Sequence, residues 1–465
     1  LADTNSASAE NSAGSGKRVR IGLISPYTGG NLGDAAIIES ARAQFRHLFQ
    51  EAEFLLIVLD CDRVSRLHGL ECFPLATVKR SFYFTAGAEW SWDAPEGSGF
   101  LGHNSRSSTY NARCGLKKVA SFIPFALPLA RRLRDASRAV ALEERHLREV
   151  GKVLRSLDGL VVAGGGQFDD QFGGAWGHPY SMFKWISKAR REGVPVFFAG
   201  VGVCEVSTKL TGWFLRRTIA KSRHISLRDE GSIEILRRVG VSIDLRRCPD
   251  LAFGLPDINA GINSLDQGGS RFHIGFSPIA FGRPGSWPTE NTASFDRYWD
   301  QFRALGADLI RAGYRVTVFA TDDSDVGLAK EIYEHFMESV PGNEQLRLLS
   351  TSNLAELLCA LPGFDAVIAG RLHGVLLSHV AGVPVVAISY HRKVRAHMED
   401  MGQQKFCLDF ERFDAQGARG CLTDLLAQRA DIVTQIMRSC AARYKAVQKE
   451  FAIIGEELFQ RRGNP

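Results

Sequence analysis

The chain has 465 residues, of which 45% are hydrophobic and 23% charged, so it is long and apolar enough for two globular domains with separate cores and leaves disorder only at the ends. Its 57 Lys and Arg against 51 Asp and Glu give a formal net charge of +6, which favours anionic small molecules over nucleic acid. Nine scattered cysteines without a CxxC pair argue for a reducing compartment and against both a disulfide framework and a zinc site.

Residues 1–17 carry no apolar run and read as a disordered leader rather than a signal peptide. "RVRIGLISPYTGG", from Arg18, predicts a short strand that runs into a Ser-Pro and Gly loop, and "GGNLGDAAI" (Gly29 to Ile37) then opens a helix. Glycines there let backbone N–H groups approach an anionic or hydroxylated ligand, while Asp34 either caps the helix or acts as a base. The loop lacks the GxGxxG order of a dinucleotide fingerprint. The next strand, in "FLLIVLDCDRV", ends at Asp60, and "RLHG" at Arg66 to Gly69 is expected to be a solvated loop leading to an insert at about 75–150. Within it, residues 116–149 read as a helix hairpin covering the core or as a basic amphipathic membrane-surface segment. No window approaches 18 uninterrupted apolar residues, so no transmembrane span is expected and the location reads as cytoplasmic, with the inner face of a membrane left open.

"LDGLVVAGGGQF" at 157–168 predicts a buried strand ending in "GGGQFDDQFGGAWGH" (Gly164 to His178), where His178 is either a catalytic base or a plain loop residue. "HISLRDEGS" predicts a strand that ends at Arg228-Asp229 before a helix, either a functional loop or a surface ion pair with an N-cap. Residues 256–270 are rich in Gly, Asn, Asp and Ser and read as a linker.

The second half repeats the first. "RFHIGFSPIAFG" from Arg271 echoes the first strand, "FDAVIAGRLHGV" at 364–375 echoes 157–168, and "AGVPVVAISYHR" at 381–392 echoes "EGVPVFFAGVGV" at 192–203. The repeats predict an α/β fold of two Rossmann-like domains, 18–255 and 271–424, facing across a cleft. A helical segment at 425–465 is placed to cross back to the first domain. Ligands bind beyond the carboxyl ends of such strands, so the second "RLHG" (Arg371 to Gly374), between a buried strand and a helix N-terminus, points into the cleft. Tyr390, His391, Arg392 and Lys393 follow another buried strand in the same way.

Together "GNLGDAAI", "DGLVVAGGGQF", "SLRDEGS", "CPDLAF" and "GRLHGVLLSHVAGVPVVAISYHRK", in this order, resemble the polysaccharide pyruvyl transferase family. The resemblance implies a GT-B-like fold and transfer of a pyruvyl group from phosphoenolpyruvate, as co-substrate and with no cofactor besides, onto two hydroxyls of one sugar or lipid-linked oligosaccharide; without an evident carboxylate or His ligand cluster in the sequence, no metal is expected. Carried onto this sequence, the resemblance implies donor binding by Arg228, Arg371, Leu372 and His373; Gly374 of the same loop is added to that set, and Lys393 as a third cation for a donor of about three negative charges. The first domain is then expected to hold the acceptor through Asn31, Gly33, Asp34, Gly165, Gly166 and Gln167. His373 is the expected general acid beside Arg371, with Asp34 or His178 as base. Two rival readings remain at this point: a GT-B glycosyltransferase using a nucleotide sugar, and a non-catalytic glycan-binding protein of polysaccharide assembly.

Overall fold

A computed structural model describes residues 18–76, 126–166, 168, 170, 173–204, 206–256, 271–287, 290–340, 345–350 and 353–463. The leader, Gln167, most of the insert and nearly all of the linker therefore lie outside the described residues.

Two all-parallel sheets form the fold. The first contains β1 (Arg20–Ile24), β2 (Glu53–Val58), β3 (Glu71–Pro74), β4 (Gly159–Ala163), β5 (Val196–Val201), β6 (His224–Leu227) and β7 (Arg246–Arg247), in the order β3-β2-β1-β4-β5-β6-β7. The second contains β8 (His273–Ser277), β9 (Arg315–Val318), β10 (Leu346–Leu348), β11 (Ala366–Ala369), β12 (Val385–Ser389) and β13 (Cys407–Asp409), in the order β10-β9-β8-β11-β12-β13. Both orders are the doubly wound Rossmann pattern. The three echoes of the sequence fall on equivalent strands: β1 with β8, β4 with β11, and β5 with β12. Each reads as an unbroken apolar run because helices cover both faces of a parallel sheet. The two Gly-Val-Pro-Val copies also fold alike, with Gly193 at φ 71° and Gly382 at φ 74° turning the chain out of a helix and into a strand.

The helices are α1 (Leu32–Leu48), α2 (Cys61–His68), α3 (Ala126–Arg155), α4 (His178–Arg191), α5 (Lys209–Ile219), α6 (Glu230–Arg238), α7 (Thr292–Arg311), α8 (Asp323–Ser339), α9 (Leu354–Ala360), α10 (Leu372–Val380), α11 (Arg392–Asp400), α12 (Ala415–Ala427) and α13 (Arg429–Gly463). Arg66 to Gly69 are not a solvated loop: Asp60 caps α2, which runs to His68, and Gly69, at φ 61°, ends it. In α3 the side chains of His146, Val150 and Leu154 are buried, so its second half covers the core. Among the described residues no helix is long and apolar enough to cross a membrane.

The halves are tied together. α13 packs on α1, on β5 and on the turn Leu251–Gly254 of the first half, and one apolar cluster includes Ile21, Phe45, Ile274, Val386 and Leu458. A second tie crosses the cleft, where Leu32 N donates to Thr321 O at 2.9 Å and Asp323 N to Gly30 O at 2.9 Å. Asn31 Nδ2 adds a bond to Asp322 Oδ2 at 2.8 Å, and Arg63 pairs with Asp323.

Candidate functional site between the two sheets

In each sheet the winding direction reverses beside the first strand, between β1 and β4 and between β8 and β11. That reversal opens a crevice at the carboxyl ends of the strands, and the two crevices face each other. Between them lies a cavity of about 290 Å³. Of the residues singled out from sequence, Asn31, Asp34, Gly165, Gly166, His178, Arg228, Arg371, Leu372, His373 and Lys393 line it. Gly33 and Gly374 do not. Gly374 is buried in the first turn of α10, where a Cβ would meet Ala369 Cβ at 3.4 Å.

Gly33 has a different task from ligand contact. A Cβ there would lie 1.8 Å from Nδ1 of His373, so the imidazole of the second half rests directly on the first turn of α1. Only glycine admits that approach. His373 Nε2 has no hydrogen-bond partner among the described residues and stands 4.0 Å from Asp250 Oδ2. Burial, followed by the nearby Arg228 and Arg371 charges, outweighs Asp250 and Asp322 and pushes the imidazole down to about 4.

Asp34 is not the helix cap. Asn31 is: its Oδ1 accepts from Gly33 N at 2.9 Å and Asp34 N at 3.1 Å while its Nδ2 reaches Asp322, so both ends of the amide are engaged. The Asp34 carboxyl, left to the cavity, is pushed up to about 7 by burial and by the carboxylates of Asp322 and Asp250, against the pull of Arg228. A group poised there exchanges protons near neutrality.

The two arginines sit in matched frames that sequence reasoning missed. Arg228 Nη1 donates to Asp250 Oδ2 at 3.0 Å, and its Nε lies 3.7 Å from Asp229, which itself caps α6. Arg371 donates to Asp325 and Ser324, lies 3.6 Å from Asp322, and stacks over Trp287 at 5.0 Å. Burial opposes both charges, but the flanking aspartates outweigh it and hold both guanidinium groups above their usual value. Such pairing keeps each guanidinium rigid and still leaves Nη2 of Arg228 and Nη1 of Arg371 without a hydrogen-bond acceptor among the described residues. The surface ion pair considered for Arg228 is therefore a buried one. The signal for Asp322 and Asp325 was "ATDDSDV", an acidic loop directly after a buried strand, as was Asp250 in "CPDLAF".

Lys393 Nζ donates to Cys204 Sγ at 2.8 Å across the cleft, with His391 capping α11 just before it. His178 is the first residue of α4 and is buried on the cavity wall. On the far side of Arg228, Leu372 and Lys393 a second cavity of about 430 Å³ continues toward Arg247, Asp400 and Arg443. The first "RLHG" copy lies elsewhere: His68 Nδ1 donates to Glu39 Oε1 at 2.7 Å and its ring meets Tyr27 edge-on.

The family model of polysaccharide pyruvyl transferases matches residues 31–392. No curated protein matches the chain significantly. Among solved structures, a UDP-N-acetylglucosamine 2-epimerase from Listeria monocytogenes, described as putative, is similar at a TM-score of 0.55 and 10% identity, covering 95% of this chain and 97% of that one. The Neisseria meningitidis UDP-GlcNAc 2-epimerase bound to UDP-GlcNAc gives 0.52 at 10%, covering 96% and 100%. Anabaena HepE in complex with UDP gives 0.51 at 11%, covering 95% and 100%. At these identities the likeness is one of fold, the two-domain GT-B arrangement. The family match, by contrast, takes in most of the residues that line the cavity, from Asn31 to His391, with Pro26, Thr28 and Gly30 just before it and Lys393 just after, and on it the chain belongs to the polysaccharide pyruvyl transferase family and is a transferase.

Proposed function

We propose that the cleft moves the pyruvyl group of phosphoenolpyruvate onto two hydroxyls of one sugar, in a glycan or its precursor, closing a cyclic ketal and releasing phosphate. The observation that carries this reading is His373: a neutral imidazole whose Nε2 has no partner among the described residues, seated on Gly33 within electrostatic reach of Arg228 and Arg371. A donor that brings both a carboxylate and a phosphate suits the free edges of the two arginines together with Lys393. Its negative charge also reverses the balance at His373, since an anion nearby favours the imidazolium. Protonation of His373 is thereby coupled to donor binding.

The imidazolium delivers its proton to the methylene carbon, and the central carbon takes on oxocarbenium character. One sugar hydroxyl attacks that carbon as Asp34 takes its proton. The carbon–oxygen bond to phosphate then breaks while the second hydroxyl attacks, and the departing phosphate carries the second proton. Solvent returns the Asp34 proton to His373, which restores both groups. The fixed aspartate frames of the arginines keep the cationic wall in place through the charge transfer.

Incubation with phosphoenolpyruvate and a panel of glycosides, followed by mass spectrometry, is expected to show products heavier by one pyruvate less one water, with phosphate released in step. Nucleotide release from a nucleotide sugar, with none of that phosphate, would establish the glycosyltransferase instead. A chain that phosphoenolpyruvate does not stabilise thermally would be a silent glycan-binding protein.

A further inference from the structure

The first half carries a surface that the transfer chemistry leaves unused. Five aromatic rings interlock on α4, α5 and the turn before α4, with Phe214 at the centre, 5.7 Å from Trp176, 5.7 Å from Tyr180, 5.2 Å from Phe183 and 5.3 Å from Trp213. Trp176 is 54% exposed and Trp213 39%, with Leu210 beside them at 39%. Cations surround the rings. Arg217 lies over Trp213 at 5.7 Å and Lys221 over Phe183 at 4.8 Å, and Arg190 and Arg191 stand exposed at the end of α4.

The acids on this face are already taken: Glu143 by Lys184, Glu144 by Arg148, and Glu192 by Lys188 and Arg155. Arg190, Arg191 and Arg217 have no acidic partner among the described residues. Burial, and then the like charges of those three arginines, lower the pKa of Lys221, the mark of positive charge without local compensation. A surface that needs negative charge and also offers exposed indole rings matches the boundary of a bilayer, where tryptophan prefers the headgroup depth and basic side chains meet anionic lipid.

We propose that this face docks the protein on an anionic lipid bilayer. Its position gives the docking a purpose, because Trp176 precedes by two residues the His178 that lines the cavity, so the face begins at the cavity's wall. A sugar carried on a lipid anchor meets the cavity where the protein meets the membrane. That last step rests on the pyruvyl-transfer reading; the docking does not.

Sedimentation of the full chain with phosphatidylcholine vesicles, with and without phosphatidylglycerol, tests it. Binding is expected only to the vesicles with phosphatidylglycerol and is expected to weaken in high salt. The triple change Arg190→Glu, Arg191→Glu, Arg217→Glu should cut that binding by about tenfold or more, and Trp213→Ala should weaken it without altering charge. Phosphate release with a soluble glycoside should be unchanged in both, which separates a failure of docking from a failure of the catalytic reading. A thermal melt checks that each variant is folded. No binding to anionic vesicles, equal binding to neutral ones, or variants that bind as the parent does would overturn the assignment. So would a stable dimer that the triple change dissociates, which would make the face a contact between two copies.

Discussion

Arg66 to Gly69 close a helix, whereas Arg371 to Gly374 open one. At the end of α2 the imidazole of His68 finds a carboxylate, Glu39, and is held as part of the scaffold. In the first turn of α10 the imidazole of His373 meets the positive end of a helix dipole and two arginines, and its Nε2 finds no partner among the described residues. Both rings rest on α1, through Glu39 and Gly33 respectively. Four identical residues thus yield a packing element in one place and a reactive one in the other, and the end of the helix they occupy makes the difference.

The contrast breaks most sharply at His373→Ala, which should lower ketal formation by about a thousandfold with an unchanged circular dichroism spectrum. Near-normal turnover would remove the distinction between the copies. Gly33→Ala leaves the imidazole present but forces it aside, and about a hundredfold loss in kcat is expected from misplacement alone. A parent-like rate would mean that the contact between α1 and His373 has no bearing on the reaction.

Asp34 sharpens the comparison through pH. With its carboxyl pushed up to about 7, kcat/KM should rise through neutrality as the base is freed, and Asp34→Asn should abolish that limb. The same shift sets a stability signature. The folded value lies above the unfolded one of about 4, so the native state binds the extra proton between them and stability falls as pH rises through that window. The Asn variant should therefore gain more in Tm at pH 8 than at pH 5, and an equal gain at both would contradict the shift. The smallest effect belongs to the other copy. His68→Ala should lose about 1 kcal/mol of stability with its Glu39 bond and leave turnover intact, as read by a denaturant melt and a phosphate-release assay.

Much of this was legible because it is local. Continuous apolar runs ending in Gly-rich or Arg-containing loops mark strands and the crevice beyond them, and the three repeats mark equivalent strands in two sheets. The residues that tune the site were harder to see, since a pairing such as Arg371 with Asp325 joins loops after different strands. Gly33 shows the same limit. Its sequence setting suggests a ligand-binding turn, and only the arrival of His373 from the other half explains why no side chain is tolerated there. The helix α2 was hidden by a short polar stretch that its Asp60 cap and Gly69 terminus together stabilise.

The tie between Gly30–Leu32 and Thr321–Asp323 bears on how the molecule comes apart. Asn31 and Asp322 pair as neighbouring strands do, and α13 braces the same two halves from behind. One apolar cluster runs through both halves, so each loses part of its core when the other comes away, while the first half also holds a second cluster of its own. Heating should produce a single calorimetric transition, and the residues around the cavity should exchange their amide protons only on global unfolding.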